Sequence, residues 1–254
     1  MATLPHYPDH WQASLNWQPD DQLLQRFQAL YDALQQANQR INLTRINAPE
    51  DFWEKHLWDS LQGVGAWLMD PSPSPQRVID IGTGGGFPGL PVALVFPQWS
   101  ITLLDATQKK ITALTELYQT LKLSNVVARA QRVEALAHQS DQRETYDLAL
   151  LRAIAGTNTS AEYALPLLKL GGRAVLYRGQ WSRAEESSLR AVLPALGGAI
   201  SAVQSSTTPL TGAQRHNILL TKVSPTPDRY PRGVGIPAKS PLHPARSRQG
   251  SRMI

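Results

Sequence analysis

The residues best suited to chemistry lie in a glycine-rich stretch, GTGGGFPG at 82–89, which holds five glycines within eight residues. An apolar run at 78–81 precedes it, and a second apolar run containing two prolines follows it. This order predicts a strand, a tight turn and a helix. Glycine lacks Cβ and tolerates positive φ, so a ligand can press directly on such a turn. The glycines alone are compatible with any adenine cofactor.

Two carboxylates narrow the kind of cofactor. Asp105 lies about twenty residues beyond the glycines, where an acidic side chain can accept hydrogen bonds from ribose hydroxyls of a dinucleotide or a nucleoside. Asp80 stands two residues before the first glycine, where the sequence predicts the mouth of the turn. There it would repel a pyrophosphate and attract, directly or through water, the cationic ammonium and sulfonium groups of S-adenosylmethionine. Asp80 therefore favours S-adenosylmethionine over NAD.

The elements that must position these residues alternate between strand and helix. Strand candidates lie at 78–81, 100–104, 126–130, 147–151, 173–178, 199–204 and 217–223. Helix candidates between them lie at 88–96, 108–122, 160–170 and 183–194. Such alternation predicts an α/β fold with a mostly parallel sheet covered on both faces. The last strand is reached without a convincing helix and is expected to be antiparallel.

Composition divides the chain into three parts. A proline-rich break at 70–76 separates an N-terminal helical appendage, 1–76, from a main domain at 77–223. The remainder, 224–254, holds six prolines and six basic residues against one acidic residue, so the net charge of the whole chain, +5, falls there. This composition predicts an extended basic tail, which either binds a polyanion such as nucleic acid or is simply solvated.

Within the appendage, residues 1–19 look irregular and a helix is predicted from Asp20 or Asp21 to about Asn38. A second helix is predicted after Pro49, with apolar and tryptophan residues that are expected to pack in the core. On that helix His56 and Asp59 are three residues apart and could pair with each other.

The composition also excludes several kinds of chemistry. The 254-residue chain has no cysteine, which removes disulfides, thiolate metal sites and a cysteine nucleophile. The six histidines show no ligand spacing, so no metal site is predicted. No apolar run approaches the ~20 residues of a membrane helix, and the N-terminus has no apolar core like that of a signal peptide. We expect a monomeric, cytoplasmic protein with no membrane contact.

Several motifs together resemble one family. DIGTGGGFPGLP at 80–91 occurs with NLT at 42–44, HLWDS at 56–60, LLDATQKK at 103–110 and YPRGVGIPAKSPL at 230–242. In this combination the chain resembles the small-subunit (16S) ribosomal RNA guanine-N7 methyltransferases, also called the glucose-inhibited division protein B family, over residues 20–242. It departs from the family pattern at Leu151, where serine is frequent, and at Arg178, where lysine is common.

The resemblance implies a class I S-adenosylmethionine-dependent methyltransferase fold, which is Rossmann-like with a seven-stranded, mostly parallel sheet and, in this chain, N-terminal helices. It implies cofactor contacts from Gly82, Phe87, Asp105, Ala106, Thr107, Val133, Glu134 and Arg152. The charge of Asp80 and the glycine pattern, which includes Gly84, add those two residues to the predicted cofactor site. Val133 and Glu134 would flank the adenine, where a backbone donor and a side-chain acceptor can read its edge. Judged without the resemblance, Glu134 is a carboxylate at a helix N-terminus.

What the sequence lacks restricts the transfer chemistry. Methylation of a pyrimidine at C5 usually needs a cysteine, and methylation of an exocyclic amine commonly uses an Asn/Asp-Pro-Pro-Tyr turn where LLRAI stands at 150–154. Guanine N7 has a free lone pair, so in-line attack needs no general base, and orientation alone supplies about 7–11 kcal/mol at best. Arg152 is expected to position guanine O6 or a phosphate, unless it forms a structural ion pair.

The expected partner is 16S ribosomal RNA or the assembling small ribosomal subunit. Residues that could bind its phosphates are Arg178, Arg215, Arg229, Arg232 and Lys239. Two other classes remain open at this point: a non-catalytic RNA-binding or ribosome assembly factor, and an NAD-dependent oxidoreductase of similar fold.

Overall fold

A seven-stranded sheet with the order β3-β2-β1-β4-β5-β7-β6 forms the centre of the molecule. The computed structural model describes residues 2–70 and 73–243. The strands are β1 (Arg77–Ile81), β2 (Ser100–Asp105), β3 (Val126–Ala130), β4 (Tyr146–Arg152), β5 (Leu168–Arg178), β6 (Gly198–Thr207) and β7 (Gln214–Lys222). The first five run parallel, and β7 lies antiparallel between β5 and β6. The predicted strands and the antiparallel last strand are confirmed.

Helices cover both faces of the sheet. They are α1 (Pro8–Leu15), α2 (Asp21–Asn38), α3 (Pro49–Phe52), a π-helical turn (Trp53–Trp58), α4 (Asp59–Gln62), α5 (Gly65–Leu68), α6 (Gly89–Val95), α7 (Gln108–Thr120), α8 (Val133–Leu136), α9 (Thr157–Ala164), a 3₁₀ turn (Leu165–Leu167), α10 (Arg183–Leu196) and α11 (Ile236–Lys239). Side chains alternate across β1, so Val78 enters one apolar core and Ile79 the other. Across the described residues, no helix has the length and apolarity needed to cross a bilayer.

The N-terminal helices belong to the core on one face of the sheet. Asp20 caps α2, because its side chain accepts a hydrogen bond of 2.7 Å from the Leu23 amide. Leu30 of α2 and Trp53 lie in one buried cluster with Val78 of β1. Residues 1–19 were predicted to be irregular, but α1 is helical and its Trp11 is fully buried against Trp53. The burial of one tryptophan stabilises a two-turn helix that local propensity does not indicate.

Two further segments differ from the sequence-based expectations. The helix predicted at 160–170 ends at Ala164, and β5 already begins at Leu168. Pro166, in the intervening 3₁₀ turn, has no amide hydrogen with which to continue an α-helix.

The segment 224–243 was expected to be extended, yet it packs on the domain. Arg143 donates to the carbonyls of Thr226 and Tyr230, and Asn158 donates to that of Leu242. The rest of the predicted tail, 244–254, lies outside the described residues.

Candidate cofactor site and the adjoining cavity

The glycine loop connects β1 to α6 with a backbone that only glycine adopts without strain. Gly82 has φ of 70°, and a Cβ added there would lie 2.9 Å from the side chain of Ile154. Both the conformation and the lack of space require glycine at this position. The amide of Gly84 donates to Asp105 Oδ2 over 3.1 Å, which fixes the loop to the end of β2.

This loop lines a cavity of about 520 Å³ at the carboxyl ends of the strands. The cavity brings together most of the predicted cofactor residues: Gly82, Gly84, Phe87, Asp105, Ala106, Val133 and Arg152. Its position beyond the strand ends, where β1 and β4 lead the chain to opposite sides, is the usual ligand site of a doubly wound sheet. The cavity lining does not include Asp80, Thr107 or Glu134.

Asp105 is held with acceptor capacity to spare. Its Oδ1 accepts from the Thr107 amide at 2.8 Å, and its Oδ2 accepts from the Gly84 amide. Each carboxylate oxygen has two lone pairs, so both can accept a second hydrogen bond from ribose hydroxyls. Thr107 orients the carboxylate through its backbone, and its contact with the cofactor stays a prediction.

Asp80 lies sealed beneath the loop rather than at its mouth. Its Oδ2 accepts from Thr83 Oγ1 at 2.6 Å and from the Gly89 amide at 2.8 Å, so it ties the loop to the start of α6. Oδ1 is buried and has no hydrogen-bond partner among the described residues. Burial raises the pKa of Asp80 to about 6, although the hydrogen bonds from Thr83 and Gly89 act in the opposite direction. The direct ligand contact expected from the sequence is therefore replaced by a charge beneath the site.

Glu134 is buried just outside the cavity lining, bonded to residues that belong to it. Its carboxylate accepts from Arg132 at 2.8 Å and from the Gly235 amide at 2.9 Å, and Tyr163 donates to it at 3.3 Å. Burial alone would raise the pKa of Glu134, but the hydrogen bonds from Arg132 and Gly235 outweigh it and lower the pKa. These hydrogen bonds hold the C-terminal segment in place, and the expectation that this side chain reads adenine stays a prediction. Ala238 of that segment lines the cavity.

A second cavity, of about 380 Å³, adjoins the first and shares His56, Arg152 and Ala153 with it. Arg152 donates to the Lys55 carbonyl at 2.7 Å and to Asp59 Oδ2 at 3.1 Å. Asp59 Oδ1 accepts from Arg215 Nε at 2.8 Å. The predicted pairing of His56 with Asp59 is replaced by an ion-paired triad, Arg152–Asp59–Arg215, which joins α4, β4 and β7.

His56 is a neutral support for Arg152, a role that the sequence did not indicate. Its ring stacks on Phe87 with centroids 3.9 Å apart. Burial, followed by the charge of Arg152, lowers the pKa of His56 to about 3. Nδ1 faces Arg152 Nη2 at 3.3 Å and must accept, so Nε2 carries the hydrogen and donates to Thr44 Oγ1 at 2.9 Å. The sequence features that could have indicated this role are the HLWDS motif, which contains His56, and the NLT motif, which contains Thr44.

The structure separates the predicted RNA-binding residues. Arg178 and Arg215 line the second cavity. Arg232 does not suit that role, because Nε and Nη2 donate to the fully buried Glu162 at 2.9 and 2.7 Å. Arg229 and Lys239 are exposed on the C-terminal segment.

The sheet order, the glycine loop after β1 and the acidic residue after β2 define a class I methyltransferase fold. A 16S rRNA (adenine(1408)-N(1))-methyltransferase variant from Catenulisporales acidiphilia aligns with a TM-score of 0.50 and 14% identity over 60% of this chain and 87% of that one. The YcgJ protein from Bacillus subtilis aligns with a TM-score of 0.50 and 14% identity over 66% of this chain and 100% of that one. Both share the fold.

Sequence comparison narrows the class to one family. The family model for GidB, rRNA small subunit methyltransferase G, matches residues 23–218. A protein named ribosomal RNA small subunit methyltransferase G from Trichormus variabilis is 47% identical over 241 residues, covering 94% of this chain and 98% of the relative. One of the same name from Trichodesmium erythraeum is 48% identical over 244 residues, covering 95% and 96%. The chain belongs to the GidB family, as its motifs indicated.

Proposed function

We propose that the protein transfers a methyl group from S-adenosylmethionine to N7 of a guanine in 16S ribosomal RNA, either free or in the assembling small subunit. The observation that carries this proposal is the family match across residues 23–218, which includes the glycine loop, Asp105 and the Arg152–Asp59–Arg215 triad. The cytoplasmic location and the monomeric state expected from the sequence stay predictions.

The first cavity fits S-adenosylmethionine in size and in chemistry. Its volume of about 520 Å³ lies in the ~300–1,000 Å³ range of small-ligand sites. Gly82 leaves the backbone open to close approach, Asp105 offers acceptors for ribose hydroxyls, and the buried charge of Asp80 favours a cationic ligand over a pyrophosphate. When bound, S-adenosylmethionine supplies an electrophilic methyl group.

The residues between the two cavities support N7 as the acceptor atom. Both nitrogens of His56 are engaged, and both oxygens of Asp59 are bonded to guanidinium groups. Neither side chain is available to take a proton, whereas attack by an amine nitrogen would release one. Guanine N7 has a lone pair and no proton, so correct orientation is sufficient. Arg152, fixed by three partners, supplies that orientation through donors held at the junction.

Nucleoside analysis tests the proposal. The purified chain is incubated with methyl-labelled S-adenosylmethionine and 16S ribosomal RNA, or small subunits, from cells that lack this methylation. We expect label in 7-methylguanosine, and we expect Asp105→Ala to abolish it by weakening cofactor binding. Asp9→Ala, at an exposed carboxylate of α1, serves as the matched control.

The other outcomes separate the rival functions. Label in a different nucleoside would contradict transfer to N7. Binding of S-adenosylmethionine without transfer to either substrate would favour the non-catalytic RNA-binding or assembly factor. Calorimetric binding of NAD but not of S-adenosylmethionine would favour the oxidoreductase.

A further inference from the structure

Two cavities meet at the end of β4, and the proposed cofactor accounts for only one of them. The second has a volume of about 380 Å³, which also falls in the ~300–1,000 Å³ range of small-ligand sites. His56, Arg152 and Ala153 belong to both linings, so these residues form the boundary between the two cavities. A group held in the second cavity therefore faces the first across this junction.

The walls of the second cavity are cationic. Lys55, Arg152, Arg178 and Arg215 line it, against the single carboxylate of Asp59. Lys55 and Arg178 also have acidic partners outside the lining, at 2.7 and 3.1 Å. Counted with those two partners, the four cations face three carboxylates, and this net positive charge favours an anionic ligand such as a phosphodiester.

The junction is built to be rigid. Asp59 fixes both Arg152 and Arg215, which come from different strands, so their guanidinium groups have defined directions. Ala153 has φ of 55°, in the left-handed region that a non-glycine residue rarely adopts. Such strained residues cluster at functional sites, where the surrounding structure holds them in place.

We infer that the second cavity is the acceptor site, which receives a single guanine nucleotide unstacked from the RNA. The inference rests on the proposed function. An enzyme that modifies a base takes it out of the stack into a pocket, and sequence-specific RNA recognition mostly uses such unstacked bases. The base enters beside Arg152 and Ala153, while Arg178 and Arg215 bind the phosphate that accompanies it. Asp59 is a positioning residue, since it acts through the two arginines.

Steady-state kinetics test the inference through Arg178→Gln and Arg215→Gln. We expect each change to lower kcat/KM for the RNA about tenfold, the size typical of losing a strong arginine contact, while the calorimetric Kd for S-adenosylmethionine stays within about twofold. The matched control is Arg190→Gln. Arg190 pairs with Glu186 at 2.7 Å on α10 and lines neither cavity, so its kinetics should equal those of the wild type.

Photo-crosslinking gives an independent readout if a variant is unstable. The methylated guanosine is first mapped and then replaced by 6-thioguanosine in the RNA. Irradiation with the wild-type protein should link it to peptides containing residues 46–62, 152–153 or 177–179.

Each result separates the two claims. If the wild type forms no 7-methylguanosine, the proposed function fails and the acceptor site fails with it. If the wild type is active but both variants match it, or if the crosslink lies elsewhere, only the acceptor site is wrong.

Discussion

Replacing Asp80 with asparagine tests whether a buried charge is held beneath the glycine loop. Asparagine keeps an oxygen that can accept the hydrogen bonds from Thr83 and Gly89, but it cannot ionise. Burial raises the pKa of Asp80 from 3.8 to about 6. Between these values the folded chain holds a proton that the unfolded chain has released, so the free energy of unfolding falls as pH rises.

The expected size of this effect is about 3 kcal/mol, at 1.36 kcal/mol for each pKa unit. The loss in the free energy of unfolding caused by ionising Asp80 is absent below pH 3.8, grows between pH 3.8 and about 6, and stays constant above pH 6. Urea denaturation from pH 4 to 7.5 measures the free energy of unfolding of wild type and Asp80→Asn. The difference between them should change by about 3 kcal/mol in favour of the variant as pH rises.

Taking the difference between two proteins isolates Asp80. His56, whose pKa is lowered to about 3, destabilises both proteins as pH falls below 6.5, and its contribution cancels. Asp9→Asn, at an exposed carboxylate, should run parallel to the wild type. A difference for Asp80→Asn that stays constant across the pH range would refute the raised pKa.

Three other substitutions test the supports of the site. Gly82→Ala should lower the free energy of unfolding, measured in urea, by about 1–2 kcal/mol and should weaken S-adenosylmethionine binding, because φ is positive at this position and an added Cβ is crowded. An unchanged free energy of unfolding and an unchanged Kd would contradict the requirement for glycine. Asp59→Ala should lower the free energy of unfolding by about 3 kcal/mol, the low end for a broken buried ion pair, because Arg152 and Arg215 lose their shared carboxylate. An unaltered melting temperature would argue against the triad. Glu162→Gln should speed amide hydrogen exchange at 230–242, where Arg232 loses its charged partner; unchanged protection rules out this anchor.

Local sequence patterns predict most of the fold, because a buried strand and an amphipathic helix each produce a recognisable pattern of apolar residues over a short stretch of sequence. All seven strands and the start of α2 follow from apolar runs and from the cap at Asp20. The failures arise where distant contacts decide. The helicity of α1 depends on packing against Trp53, and the folding of 224–243 onto the domain depends on Arg143 and Asn158.

The candidate site follows the same division. The glycine loop and Asp105 belong to one local motif, and the sequence placed both at the cavity. The contact of Glu134 with Gly235 could not be predicted because the two residues are 101 positions apart, and the Arg152–Asp59 pair spans 93 residues. Neither of these long-range contacts can be inferred from a single sequence without homologues.

Borohydride reduction followed by aniline cleavage tests transfer to guanine N7, because reduction removes the base at 7-methylguanosine and aniline then breaks the RNA at that position. 16S ribosomal RNA that lacks the modification, free or in small subunits, is incubated with S-adenosylmethionine and the protein, cleaved, and read by primer extension. We expect one strong stop at a single guanosine with the wild type and none with Asp105→Ala. Methyl label retained in RNA that shows no aniline-dependent stop would contradict transfer to guanine N7.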